Sequence, residues 1–112
     1  MKQSAHVLAA VATGLAVIAA TAWLHAGDAP VVVTQKNRTF APTDVTVKVG
    51  GTLQLKNDDD VTHNAFSTSK GNEFNSKAQA PGEIATVTFK AAGQVEIHCA
   101  FHPKMTMTVT VK

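Results

Sequence analysis

The sequence predicts an all-β fold after its first 27 residues: a small sandwich of two antiparallel sheets. Three observations lead there. No stretch beyond residue 27 repeats its apolar residues with a helical period. Alternation of period two recurs along the same region. Turn formers separate the alternating runs, and short strands punctuated in this way pack as two sheets with their apolar sides inward.

In chain order, Val31 to Gln35 reads as the first strand. Val45, Val47 and Val49 then alternate with Thr46 and Lys48, and Leu53 and Leu55 alternate with Thr52, Gln54 and Lys56. Between these two runs stands Gly50-Gly51, and strand, Gly-Gly, strand predicts a local hairpin. Residues 57–81 are irregular and polar and form the long connection, with room for a short helix or an extra strand. The acidic run Asp58-Asp59-Asp60 in it reads as a solvated turn, since no cation-loop spacing follows it. Ile84 to Phe89, Val95 to Cys99 and Met107 to Val111 are three further strands. No internal repeat is present.

The N-terminal segment, residues 1–26, is set apart. Lys2 gives a basic start, and Val7 to Leu24 is an uncharged run of 18 residues. This reads as an export signal, with Ala20-Thr21-Ala22 offering a small-residue cleavage pattern, or as an uncleaved anchor through residues 7–24. A single domain, residues 27–112, then lies outside the cytoplasm, in the periplasm or another exported location. His6 and His25 belong to the N-terminal segment and are given no role.

Residues 27–112 carry nine Lys and Arg against eight Asp and Glu. No basic stripe is present and aromatic residues are few, which argues against a nucleic-acid partner. A domain this small has a limited core, and a disulfide or a metal often supplements such cores. With one cysteine, Cys99, no internal disulfide forms, so a lone thiol in an exported protein calls for another role.

That role is legible in Cys99-Ala-Phe-His102-Pro-Lys-Met105-Thr-Met107. A thiolate, an imidazole and thioethers sit within a short connection between two strands. His63 stands 36 residues upstream of Cys99, after another strand, where a second loop at the same end of a sandwich could meet the first. Sulfur donors suit Cu(I), imidazole suits both copper states, and two His with one Cys and a weak axial thioether describe an electron-transfer copper site. Zinc takes Cys and His in closed four-coordinate sites and rarely a thioether. Haem attachment and a dinuclear copper centre each need a second cysteine.

Over residues 31–112 the sequence resembles the cupredoxin family of type 1 (blue) copper proteins. Three segments carry the likeness in order: Phe40-Ala-Pro-Thr-Asp-Val-Thr-Val-Lys-Val-Gly-Gly-Thr-Leu, Asp60-Val-Thr-His63-Asn64 and Cys99-x-x-His102-x-x-Met105. The resemblance implies a Greek-key sandwich and one copper ion held by His63, Cys99, His102 and Met105. It also implies that Asn64 ties the two ligand loops together through hydrogen bonds, one of them from backbone to the Cys99 sulfur. The last segment has the short spacing of the amicyanin branch. The longer spacing of the plastocyanin branch would select Met107 instead. Two residues depart from the family pattern: Met107 stands where the short-loop members usually have Gly, and Ile97 where an aromatic is common.

Each residue also has a plainer reading. Cys99 alone would pass as a buried thiol, His102 as a loop histidine, and Asn64 as a turn former. Met107 shares strand parity with Val109 and Val111 and therefore reads as core, whereas Met105 sits in the loop where a ligand belongs. His98 neighbours Cys99 and points to the opposite face. Phe66 and Phe101 are packing residues, Phe101 near the rim of the site.

No carboxylate pair, nucleophile triad or substrate pocket is evident, so the expectation is a monomeric carrier of single electrons and not an enzyme. Its partners would be redox proteins, such as a dehydrogenase, a cytochrome or a terminal oxidase, in transient contact around His102. Apolar surface from Phe101, Pro103 and Ala65 would surround that contact, and Lys104 would steer an acidic partner. Membrane contact would arise only through an uncleaved anchor. The alternative class is a copper-binding or copper-delivery protein.

Overall fold

The computed structural model describes residues 29–112, so the expected signal or anchor segment, residues 1–26, lies outside the described residues. Among the described residues there are nine strands and no helix. One sheet has four strands in the order β2 (Thr39–Ala41), β1 (Val31–Lys36), β4 (Thr52–Asn57) and β7 (Ile84–Thr88). The other has five, in the order β3 (Asp44–Val47), β9 (Thr106–Val111), β8 (Gly93–His98), β5 (Phe66–Ser67) and β6 (Phe74–Asn75). The expected all-β sandwich is therefore present.

Both sheets are mixed, which corrects the expectation of purely antiparallel sheets. β1 runs parallel to β4, and β3 runs parallel to β9. The cause is the path of the early chain, which leaves the first sheet after β2, enters the second as β3 and returns as β4.

The Gly50-Gly51 hairpin is likewise corrected, because the strands it joins belong to opposite sheets. The Gly51 N–H donates to the Lys48 carbonyl at 2.8 Å, which closes the turn. Gly50 N–H donates to Phe89 O at 2.7 Å and Phe89 N–H to Gly51 O at 3.0 Å, which binds the turn to the end of β7. Val47 and Leu53 then lie on opposite walls of one core. Val49, which the alternation placed with Val45 and Val47, is swung outward and half exposed. Alternation specifies a buried face and leaves the partner strand open.

The polar connection contains the short β5–β6 hairpin and an isolated bridge between His63 and Gln79. β2 was not foreseen. It follows β1 through a two-residue turn, Asn37-Arg38, with φ of 53° and 55°. Two left-handed residues make the turn twist with the strands, and Asn tolerates this conformation better than Arg does.

The core lies between the sheets. Val33, Leu53, Leu55, Val87 and Phe89 face Val47, Val95, Ile97, Met107, Val109 and Val111. Fully burying such a side chain contributes roughly 1.5–3 kcal/mol. At one pole the inward positions turn polar: Gln35 follows Val33 on β1, Asn57 follows Leu55 on β4, and the two are register partners. That pole carries the functional residues.

A methyl group at position 51 would sit 2.8 Å from both the Lys48 carbonyl oxygen and the Val47 side chain. Gly51→Ala is therefore expected to destabilise the domain by about 1–3 kcal/mol, the usual range for overpacking. Chemical denaturation of the metal-free protein checks this, and an unchanged midpoint would contradict it.

Candidate metal centre

Two loops meet at the polar pole. The first leaves β4 at Asn57, whose side chain shapes it. Asn57 Oδ1 accepts from Asp59 N–H at 3.0 Å, and Nδ2 donates to the carbonyls of Val61 and Gln79, each at 2.9 Å. His63 is fixed by exchanging both backbone hydrogen bonds with Gln79, at 3.0 and 2.7 Å. Gln79 is itself held by its side chain, which donates to Leu55 O and accepts from Gln35 Nε2, each at 3.0 Å.

The second loop joins β8 to β9 and closes on itself. His102 N–H donates to Cys99 O at 3.4 Å, Met105 N–H to His102 O at 2.9 Å, and Cys99 N–H to Met105 O at 3.2 Å. These three bonds tie the two ends of the loop to each other and to His102, which restricts its movement. Asn64 links the loops, since its Oδ1 accepts from Ala100 N–H at 3.2 Å. Its Nδ2 donates to Asn75 Oδ1 and Lys77 O, so β6 and the following turn hold it in place.

One ligand atom from each of His63, Cys99 and His102 lies within 4.8 Å of the other two. Cys99 Sγ is 3.7 Å from His102 Nδ1, and the two imidazoles meet edge-on with centroids 4.9 Å apart. His63 and Cys99 are buried, and His102 is half-buried. His63 Nδ1 is fully enclosed and lacks any hydrogen-bond partner within the protein. An orphaned buried nitrogen is costly unless something binds it, and a metal facing a thiolate and a second imidazole would do so.

The other nitrogen of His63 is accounted for. Nε2 lies 2.9 Å from Asp59 Oδ2. That carboxylate also accepts from Arg38 N–H at 3.0 Å, and its other oxygen accepts from Asp60 N–H at 3.0 Å. The Arg38 amide, with the hydrogen bond to His63 next in weight, holds the Asp59 carboxyl far below the usual carboxylate range. Burial, with the nearby His63 second, lowers the pKa of His102 and favours the neutral ring that a metal requires.

The donor set suits a single copper ion: one soft thiolate, two imidazoles and a nearby thioether. Met105 is buried in the ligand loop and lines the same surface groove as His102. Met107 lies on β9 opposite Ile97 and is buried on the same side as Val109 and Val111. His98 is half-buried, packs against Phe66 on the adjacent strand and stays outside the cluster.

Two features of the loop depart from expectation. Asp59, read as part of a solvated turn, has a side chain only 10% exposed and binds His63. Its position four residues before a histidine was the available signal. Ala65 is fully buried and does not border the surface at His102. Arg38, brought in by the unforeseen β1–β2 turn, lines the groove there with Phe101, Pro103 and Lys104.

Comparison with known proteins agrees with this geometry. A family model for the cupredoxin-like domain matches residues 7–111. A novel purple cupredoxin from Nitrosopumilus maritimus is 26% identical with a TM-score of 0.66, over 73% of this chain and 99% of that one. The reduced Cu(I) form of an amicyanin variant is 25% identical with a TM-score of 0.70, over 76% and 84% of the two chains. A copper-containing nitrite reductase from Thermus scotoductus is 25% identical with a TM-score of 0.69, over 75% of this chain and 22% of that one. No curated protein matches the sequence.

The two methionines differ enough in setting to be told apart. Met107→Leu is expected to cost less than about 1.5 kcal/mol, because volume is nearly kept, and to leave the spectrum of the copper-loaded protein unchanged. Met105→Gln is expected to change that spectrum while copper still binds. Absorption spectra and denaturation of both variants check this, and the opposite spectral pattern would move the thioether role to Met107.

Proposed function

This chain belongs to the cupredoxin-like family, and from that premise we propose that it is a type 1 copper protein that carries single electrons between exported redox partners. The observation that carries the reading is the enclosed cluster of His63, Cys99 and His102, with the unpartnered His63 Nδ1 facing inward. His63, Cys99 and His102 would hold the ion in this reading, and Met105 would supply a weak thioether donor. Bound copper would supply the chemistry of one-electron exchange between Cu(II) and Cu(I).

The protein's part is to keep its donors still. Gln79 clamps His63, the closed β8–β9 loop fixes Cys99 and His102, and Asn64 joins the two loops. Donors that hold the same places in both oxidation states keep the reorganisation accompanying electron transfer small. The burial of His63 and Cys99 also weighs against the delivery alternative, which needs donors that a recipient site can reach.

His102 is the electron port. It is the half-buried member of the cluster and opens on the groove lined by Phe101, Pro103, Arg38 and Lys104. Phe101 is 54% exposed, enough apolar surface for a brief contact that excludes water. Arg38 and Lys104 are not ion-paired among the described residues, so the groove attracts an acidic face on a redox protein such as a dehydrogenase, a cytochrome or a terminal oxidase. The nitrite reductase spans far more than this chain, and the carrier reading makes no use of its activity. The protein works as a monomer in the periplasm or an equivalent exported location.

The copper-loaded protein is expected to be intensely blue, green or violet through a thiolate-to-copper band, and Cys99→Ser is expected to abolish that band. A pale, readily exchanged wild-type complex, or a variant with the same band, would overturn the assignment. For the port, Pro103→Glu places a negative charge in the groove. Stopped-flow exchange with an acidic redox partner should slow at least several-fold while the copper spectrum stays the same. Equal rates with an intact spectrum would place the port elsewhere.

A further inference from the structure

We infer that Asp59 is a positioning residue for the metal: its carboxylate fixes the ring proton of His63 on Nε2, presents Nδ1 as the free donor beside Cys99 and His102, and biases the site toward Cu(II). The inference deepens the copper reading and rests on it.

The geometry sets the proton. Asp59 Oδ2 is 2.9 Å from His63 Nε2. The same oxygen accepts from Arg38 N–H at 3.0 Å, and Oδ1 accepts from Asp60 N–H at 3.0 Å. Two backbone donors and the His63 ring nitrogen thus converge on one carboxylate, whose side chain is only 10% exposed. An ionised carboxylate only accepts hydrogen bonds, so His63 Nε2 must carry the hydrogen. In the neutral ring Nδ1 then holds the lone pair, and Nδ1 is the atom left enclosed without a partner.

Two consequences follow for a metal at Nδ1. The charge behind the ring makes the imidazole a stronger donor, as carboxylates do when they accept the distal N–H of a metal-bound histidine. A fixed negative charge across one imidazole also favours the more highly charged ion. Both effects strengthen binding of Cu(II) more than binding of Cu(I), and the difference between those affinities is the reduction potential.

Asp59 does not owe its position to the metal. Its own N–H is held by Asn57 Oδ1 at 3.0 Å, and the Arg38 amide reaches it from the left-handed β1–β2 turn. A purely structural role, holding that turn to the loop, is the competing explanation. Asp59→Asn separates the two, since an amide oxygen can still accept from Arg38 N–H but the charge is gone.

The experiment uses Asp59→Asn and Asp59→Ala beside the wild type, each loaded with copper and also metal-free. Cu(II) affinity should fall at least tenfold relative to Cu(I), read as a rise in reduction potential of about 59 mV for each tenfold, with the thiolate band retained. The rise should be larger for Ala than for Asn. In the metal-free wild type, ¹⁵N NMR should find the His63 proton on Nε2 and slow to exchange, and in the Ala variant the two tautomers should mix. A structural role alone would lower stability and leave the potential where it was. Copper-bound variants with the wild-type potential, or a metal-free wild type with the proton on Nδ1, would overturn the inference. Should Asp59→Ala fail to fold, the Asn variant still decides the potential. A wild type that gives no thiolate band would instead overturn the copper reading, and the metal-free NMR would still decide whether Asp59 sets the tautomer.

Discussion

The two backbone hydrogen bonds between His63 and Gln79 are the contact on which the metal pole depends. His63 lies in a loop and not in a long strand, yet its side chain is fully buried. Loop backbone can enter an interior only when its polar groups find partners there. Gln79 supplies them from its own backbone, and its side chain fastens the pair to β4 and β1 through Leu55 O and Gln35. Each net hydrogen bond is worth only about 0.5–1.5 kcal/mol, but leaving such a group buried and unpaired costs about 1–3 kcal/mol. The arrangement is therefore held less by the strength of any bond than by the penalty for breaking one.

From that clamp the rest of the pole follows. With His63 fixed, Asn64 is placed to accept from Ala100, and the Cys99–Met105 loop is drawn against it. Charge is graded across the resulting cluster. Behind His63 stands the carboxylate of Asp59, while on the outer side Arg38 and Lys104 border His102. Two imidazoles of the same kind therefore do different work: one is enclosed and faces an anion, the other is half-buried and faces cations. Inner stability and outer access are assigned to separate histidines.

The sequence made some of this legible and hid the rest for physical reasons. Cys99, His102 and Met105 could be read together because a loop of seven residues forces local chain neighbours to be neighbours in space. Met107 could be placed in the core because strand parity is a local property, and the structure buries it on the same side as Val109 and Val111. His63 needed the family-like context of Asn64, since one histidine far upstream carries no distance information. The partners of Val45–Val47 and Leu53–Leu55 stay hidden because alternation is identical whether two strands share a sheet or face each other across a core. The role of Asp59 stays hidden because three consecutive aspartates resemble a solvated turn. Only the fold reveals that the middle one faces inward, while Lys56 lies 3.6 Å from its neighbour Asp58.

The mixed topology, which no local pattern announced, is also what completes the site. β4 ends at the metal pole, because Asn57 opens the His63 loop. β1 runs parallel to β4, with Gln35 opposite Asn57, so β1 must end at that pole too. Its turn, Asn37-Arg38, is consequently delivered beside the His63 loop, where Arg38 N–H reaches Asp59 and the Arg38 side chain lines the groove at His102. Had β1 and β4 paired antiparallel, as a simple meander would have them, the same turn would lie at the far end of the sandwich. Asp59 would then lose one of its two backbone donors, and the groove one of its two cations. The left-handed conformation of Arg38, which costs roughly 1–2 kcal/mol for a residue with a side chain, is tolerable in this light. It aims the amide inward at a carboxylate and leaves the guanidinium at the surface, so that one residue in a turn serves both the inner and the outer histidine.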